Sequence, residues 1–124
     1  MDHKRGKFER LDATIPVEVL LHGGGGESYS VMCENIGGKG LRFPLSKAVE
    51  VDTRLELVIH LPDNLPPLRT RGRVSWVRAK KIAGGEVAFF EIGVEFLELK
   101  FQDRDRIHQY VYRRASQGGP KGEP

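Results

Sequence analysis

The chain has 124 residues and a single cysteine, Cys33. This length fits one domain with its own core, and one cysteine excludes both an intramolecular disulfide and a zinc site built on paired cysteines. The net charge of +3 and the pI near 9.2 favour an anionic partner only weakly, because many soluble domains carry a similar charge.

The two ends of the chain differ in composition from the middle. Residues 1–10 are polar and basic, and residues 116–124 are rich in glycine and proline. We therefore expect a flexible basic arm over residues 1–10, one folded domain over residues 11–115 and a disordered tail over residues 116–124. The N-terminal residues contain no apolar stretch, so we expect no signal peptide and a cytoplasmic location.

The middle of the chain alternates apolar and polar residues, as in Ile15, Val17, Val19 and Leu21. This period of two is typical of strands with one solvated face and one core face. Clusters of glycine, proline and asparagine separate the runs and mark turns. The pattern predicts six strands, at roughly 14–22, 27–35, 39–43, 54–61, 68–79 and 86–97, in an antiparallel barrel or sandwich.

The last segment changes its period. Ile107, Tyr110, Val111 and Arg114 lie at the spacing of one helical face. The first turn is acidic and the last turn is basic, which complements the helix dipole. The sequence therefore predicts a helix over about 101–115, with one apolar stripe packed on the strands.

Three stretches of the chain, in this order and spacing, resemble the PilZ domain family. They are residues 5–17 (RGKFERLDATIPV), residues 35–42 (NIGGKGLR), and residues 72–78 (GRVSWVR) with the following IGVEFL. With the predicted helix that follows them, the resemblance covers roughly residues 4–114. The resemblance implies a mainly β fold, a six-stranded antiparallel PilZ-type β-barrel with a C-terminal α-helix.

The family signature begins with an arginine motif, often Arg-Arg-x-x-x-Arg. Here the first and last arginines correspond to Arg5 and Arg10, and Gly6 occupies the middle position. The ligand that the resemblance implies is cyclic di-GMP, which carries two phosphates and two guanines. Arginine suits this ligand because its planar fork matches phosphate oxygens and guanine edges. Lys7 would add positive charge, but it lacks the planar fork.

The second part of the signature is Asp/Asn-x-Ser-x-x-Gly. Asn35 and Gly40 match it, and Gly37 replaces the serine. The glycines of this segment are expected to supply positive φ in a tight turn, and the asparagine amide can bind a guanine edge. From their family positions, Trp76 would offer an aromatic face to a base and Arg78 would add a second basic contact.

The predicted ligand-binding set is therefore defined by the resemblance: Arg5, Lys7, Arg10, Asn35, Gly37, Gly40, Trp76 and Arg78. The lost arginine removes a charge-assisted bond of about 1.5–3 kcal/mol, and the lost serine hydroxyl removes about 1 kcal/mol. These losses correspond to an affinity that is weakened and not necessarily abolished. Ligand-independent explanations also exist, namely a solvated arm, a strand turn and a half-buried tryptophan.

The sequence contains no catalytic constellation and no histidine spacing for a metal site, so we expect neither an enzyme nor a metalloprotein. The leading hypothesis is a second-messenger receptor that acts on a protein partner in motility, pilus, chemotaxis or exopolysaccharide machinery, and hence in biofilm formation. One alternative is a degenerate PilZ module that binds no nucleotide. A second alternative is a single-stranded nucleic-acid binder, suggested by the row of Arg69, Arg71 and Arg73.

Overall fold

The computed structural model describes residues 10–22 and 26–118. They form six strands and one helix, which confirms the predicted mainly β fold with a C-terminal helix. The elements, in chain order, are β1 (Arg10–Leu21), β2 (Ser28–Gly37), β3 (Gly40–Leu45), β4 (Arg54–Ile59), β5 (Leu68–Lys81), β6 (Val87–Phe96) and α1 (Phe101–Gly118).

The strands are all antiparallel and close on themselves. Their order around the ring is β1, β2, β3, β6, β5 and β4, and β4 pairs again with β1. Closure gives every strand a neighbour on each side, although β2 pairs with β3 only at Asn35 and Ile36. The ring therefore has one inner face, which forms the core, and one outer face that is open to solvent.

The alternation in the sequence explains which side chains fill the core. In β1, for example, Ile15, Val17 and Val19 are at most 1% exposed, whereas Glu18 between them lies on the outer face. The same rule holds for β4, where Leu55, Leu57 and Ile59 point inward. Burial of these apolar side chains is the main driving force for closing the ring.

The helix adds the last part of the core. Ile107 and Val111 are fully buried, and α1 packs against β1 and β2. This stripe agrees with the predicted helical face, although Arg114 at its end remains exposed. Within the described residues, the helix is not apolar enough over its length to cross a membrane.

Two element boundaries differ from the predicted ones by three residues or more. The first strand begins at Arg10, not near residue 14, because Arg10 and Leu11 pair with the end of β2. The helix continues to Gly118, beyond the predicted end at residue 115, because Ala115 and the two polar residues that follow it are compatible with a helix. Residues 116–118 therefore belong to the helix, and the rest of the predicted tail lies outside the described residues.

Candidate ligand-binding site

Residues from all three motif stretches lie in one row across the outer face. Asp12, Asn35, Arg42, Gly93 and Trp76 are successive cross-strand partners on β1, β2, β3, β6 and β5. Cross-strand neighbours of this kind have Cβ atoms about 5 Å apart. We call these five residues the central row. The fold thus brings Asn35 and Trp76, which are 41 positions apart in the numbering, onto a single surface.

Two shifts of strand register turn the ends of this row outward. The β1–β2 register shifts between Asp12 and Ile15, so that Cys33 is buried while Asn35, two residues later, bonds to an exposed partner. The β5–β6 register shifts between Val74 and Trp76 in the same way. Strict alternation would have placed Cys33 and Asn35 on the same face, and likewise Val74 and Trp76. A register shift of this type turns the side chain of one member to the other face.

Asn35 is half-buried, and its side-chain amide has a defined orientation. Its Nδ2 donates a hydrogen bond of 2.8 Å to Oδ1 of Asp12 across the β1–β2 ladder. The backbone oxygen of Asn35 accepts a contact of 3.3 Å from the thiol of Cys33, which is buried. These interactions hold the first residue of the second motif rigidly at the surface.

The arginine motif enters the same surface at Arg10. In the ladder Arg10 is the cross-strand partner of Gly37, the residue that stands in the serine position of the second motif. The pairing register therefore joins the end of the first motif to the middle of the second. Arg5 and Lys7 lie outside the described residues, and so does the side chain of Arg10.

Gly38 and Gly40 lie in close contact with neighbouring elements, and neither has a positive φ. The expectation that the glycines at 37, 38 and 40 have positive φ is wrong, since the described glycines with positive φ are Gly26, Gly84 and Gly85. A Cβ on Gly40 would overlap the carbonyl oxygen of Val94, and a Cβ on Gly38 would overlap the ring of His108. At Gly40 only glycine lets the β2–β3 turn approach the backbone of β6 so closely, whereas the exposed His108 ring is free to turn away from a Cβ at position 38.

Trp76 is half-buried at the far end of the central row. Its indole covers Gly93, where any Cβ would collide with the ring. The guanidinium carbon of Arg78 lies 4.8 Å from the ring centroid, which is a cation–π geometry. The structure thus places two predicted site residues, Trp76 and Arg78, in direct contact.

A basic cluster surrounds Glu91 beside the row. Arg42, Arg78 and Lys80 each place a nitrogen 3.8 Å from a Glu91 carboxylate oxygen, and that carboxylate side chain is only 12% exposed. Arg42 also lies 3.8 Å from Glu34. These separations exceed hydrogen-bonding distance, so the cations attract the carboxylates without being bonded to them. The cluster contains three cations and two carboxylates.

The helix supplies residues that the motifs did not indicate. Arg104 donates a hydrogen bond of 3.1 Å from Nη1 to the carbonyl of Gly38, and His108, one turn later, packs on the same glycine. Arg104, Gly40 and Trp76 share a shallow groove of about 410 Å³. The i, i+4 spacing of Arg104 and His108 is visible in the sequence, but nothing there indicates which loop this helix face meets.

Other arginines of β5 are neutralised. Arg73 donates hydrogen bonds to Glu95 at 2.6 Å and to Asp52, and these two carboxylates raise the pKa of the guanidinium above its ordinary value. Arg71 lies 3.7 Å from Glu98. Two of the three arginines in the row of Arg69, Arg71 and Arg73 thus have carboxylate partners, which weakens the row as a phosphate-binding stripe. Among residues 10–22 and 26–118, no three potential metal ligands converge.

Comparison with known proteins identifies the family. The family model "PilZ domain" matches residues 4–113. The chain belongs to the PilZ domain family. PilZ domains form a family of cyclic di-GMP receptors and adaptors and are not a catalytic family. A search of curated protein sequences gave no match at a significant level.

Solved structures with the same fold include several PilZ proteins. The Bacillus subtilis inhibitor of motility, MotI/DgrA, gives a TM-score of 0.73 at 20% identity, covering 87% of this chain and 49% of that one. K. pneumonia MrkH gives 0.73 at 16% identity, covering 90% and 50%. This PilZ chain spans about half the length of those two proteins.

One similar structure is an isolated domain with ligand. The PilZ domain of Escherichia coli YcgR with cyclic di-GMP has a TM-score of 0.68 at 10% identity, covering 92% of this chain and 94% of that one. At these identities the likeness concerns the fold alone. The position of any ligand on this chain must therefore be argued from its own residues.

Proposed function

We propose that this PilZ protein is a cyclic di-GMP receptor that acts as a cytoplasmic adaptor on a protein partner. The dinucleotide binds between the N-terminal arginines, Arg5 and Arg10, and the segment from Asn35 to Gly40. Trp76 and Arg78 border the same outer face. The partner belongs to motility, chemotaxis, pilus or exopolysaccharide machinery, and the output affects motility or biofilm formation.

The observation that carries this proposal is the ladder pairing of Arg10 with Gly37. This pairing puts the last arginine of the first motif beside the second motif, although the two are far apart in the chain. A ligand with two phosphates and two planar bases needs both cationic forks and an aromatic or amide surface. The outer face offers these groups within neighbouring strands.

The fold of the neighbours supports the same ligand class. One of the similar structures, the YcgR PilZ domain, was solved with cyclic di-GMP. The arm of this chain would close on the ligand, and closure would change the surface available to the partner. Such a switch requires that the ligand bind the closed form better than the open form.

The second candidate function is that of a PilZ module without nucleotide. Gly6 and Gly37 favour it, because they remove an arginine fork and a hydroxyl from the signature. Each loss weakens binding, by about 10- to 100-fold for the arginine. In that case the same outer face would serve protein contacts only.

Isothermal titration calorimetry tests the proposal. Purified wild-type protein and Arg10→Ala are titrated with cyclic di-GMP, and GTP serves as the nucleotide control. We expect micromolar or tighter binding by the wild type and a loss of about 10- to 100-fold in Arg10→Ala.

Arg69→Ala is the matched control, since Arg69 is an exposed arginine on β5 without a hydrogen bond or ion pair among the described residues. It removes the same charge and should leave the affinity within about 2-fold, because exposed charges contribute little at a distance. Absence of heat from the wild type up to about millimolar ligand would refute the receptor function and leave the nucleotide-free module.

A further inference from the structure

The signature of this chain lacks one arginine, and the fold places another arginine at the motif. Gly6 removes a cationic fork from the first motif, so a ligand with two phosphates would have fewer partners than phosphate recognition normally provides. Arg42 is the direct cross-strand partner of Asn35. A ligand that contacts Asn35 is therefore within reach of the long Arg42 side chain.

The geometry of Arg42 is unusual for an arginine that has only a structural role. Its Nε is buried and has no hydrogen-bond partner among residues 10–22 and 26–118. Its two carboxylate neighbours, Glu34 and Glu91, are both 3.8 Å away, which is too far for a hydrogen bond. Buried donors in proteins almost always have a hydrogen-bond partner. A buried donor without one, at a ligand-binding motif, therefore points to an acceptor that a ligand supplies.

The surroundings permit Arg42 to exchange partners. If its guanidinium turns from Glu91 to an anion, Arg78 and Lys80 still neutralise the carboxylate. The exchange therefore leaves no buried charge without a partner, which would otherwise be costly. About a third of the Arg42 side chain is exposed, so the group is accessible from the outer face.

We infer that Arg42 binds a phosphate of the dinucleotide and replaces the arginine that Gly6 removes. This inference rests on the proposed receptor function. Arg42 exchanges two long ion pairs for a short bidentate contact with phosphate oxygens, and Glu91 positions it in the apo protein. Trp76, separated from Arg42 by the single residue Gly93 in the central row, borders the same ligand.

Fluorescence titration with cyclic di-GMP tests this role directly. Trp76 is the sole tryptophan of the chain, so its emission reports on the central row without labelling. The proteins are the wild type, Arg42→Ala, Arg42→Gln, Arg42→Lys and the control Arg69→Ala. We expect Arg42→Ala and Arg42→Gln to bind about 10- to 100-fold more weakly, and Arg69→Ala to bind within about 2-fold of the wild type.

The lysine variant separates charge from shape. Lysine keeps the charge but loses the planar fork, so Arg42→Lys should lie between the wild type and Arg42→Ala. Thermal unfolding of each variant shows whether it is folded, and Arg42→Gln retains much of the side-chain length if the alanine variant is unstable.

The possible outcomes distinguish the receptor function of the protein from the ligand-binding role of Arg42. If the wild type binds, Arg10→Ala weakens binding and all Arg42 variants bind like the wild type, then Arg42 is no ligand residue and the receptor function stands. If the wild type fails to bind, both the receptor function and the role of Arg42 are wrong. Equal losses in Arg42→Ala and Arg69→Ala would reduce the effect to general electrostatics and overturn the inference.

Discussion

Two parts of the outer face use charge in different ways. One part, which we call the histidine face, consists of Glu18 on β1, Glu56 on β4, and His22 and His60, which directly follow these strands. Glu18 accepts a hydrogen bond from His60 at 3.1 Å, and Glu56 accepts one from His22 at 3.0 Å. Each carboxylate there has one partner at hydrogen-bonding distance. Around the central row, by contrast, the described part of the chain offers Arg42 only long ion pairs and gives its buried Nε no acceptor.

This difference separates a surface that is complete within the protein from one that is not. The histidine face has no stacked aromatic–cation pair, whereas the central row ends in Trp76 with Arg78 on its ring. A surface that retains unbonded cations beside an aromatic ring loses stability and gains affinity for an anionic planar ligand. The comparison therefore predicts opposite effects of mutations on the two faces.

The largest effect on stability is expected from Gly40→Ala. The new Cβ would overlap the carbonyl oxygen of Val94, which belongs to the backbone of β6 and cannot rotate away. The free energy of unfolding should fall by about 3 kcal/mol, as for overpacked interiors. Urea denaturation measures this change. The control Ser30→Ala, at an exposed position of β2, should cost less than about 0.5 kcal/mol.

A similar loss in the two variants would mean that the β2–β3 turn adapts to the extra atom. The close approach of Gly40 to β6 would then place no rigid constraint on the strands that carry the central row.

The second-largest effect on stability concerns Arg106, an arginine that, unlike Arg42, has hydrogen bonds at normal distances. Arg106 donates to both carboxylate oxygens of Asp63, at 3.1 and 3.0 Å. Partial burial raises the pKa of Asp63, but the hydrogen bonds from Arg106 and from the backbone of Leu65 outweigh it, so the pKa lies below its ordinary value. We expect Asp63→Asn to lower the free energy of unfolding by about 1–3 kcal/mol at pH 7.

The sign of the pH dependence follows from the lowered pKa. A carboxyl whose pKa is depressed in the folded state stabilises the protein above its unfolded pKa of about 3.9, and this stabilisation is lost as the pH falls through the folded pKa. The stability difference between wild type and Asp63→Asn should therefore shrink below about pH 4. If the stability difference between the two proteins stayed constant well below pH 4, the ion pair between Asp63 and Arg106 would not be its source.

A smaller effect of opposite sign is expected from Arg42→Met. Methionine keeps an apolar stem on the strand and removes the buried Nε, so the free energy of unfolding should stay unchanged or rise by about 1 kcal/mol. Arg73→Met is the comparison, because Arg73 is bonded to Glu95 at 2.6 Å and should lose stability on replacement. Denaturant melts of both variants at pH 7 measure the two changes.

A loss of stability in Arg42→Met as large as in Arg73→Met would show that the long ion pairs hold the strands together. Arg42 would then belong with the bonded arginines.

The smallest effect is expected on the histidine face. Glu18→Gln removes an exposed charge whose partner is His60, and exposed pairs of this kind contribute less than about 1 kcal/mol. Stability should change by no more than about 0.5 kcal/mol, and cyclic di-GMP affinity should not change. Calorimetry on this variant checks whether ligand binding is confined to the central row, and a weakened affinity would extend the site to the histidine face.

Much of the fold could be predicted from the sequence because it follows from local patterns. Alternation with period two identified all six strands within a few residues, and the spacing of Ile107, Tyr110 and Val111 identified the helix and its buried stripe. The family motifs identified PilZ because they are short segments whose order along the chain is visible without coordinates. Strand length at Arg10 was missed, since the pairing of that residue depends on a distant strand.

The composition of the candidate site depended on long-range geometry. The pairing of Arg10 with Gly37, the row that joins Asn35 to Trp76 and the contacts of Arg104 and His108 with Gly38 are set by strand register and helix docking. Register emerges only when the whole ring closes and its side chains pack, and a single shift turns a residue to the other face. The sequence therefore determined which segments form strands and which family they belong to, whereas the tertiary structure decided which side chains share a surface.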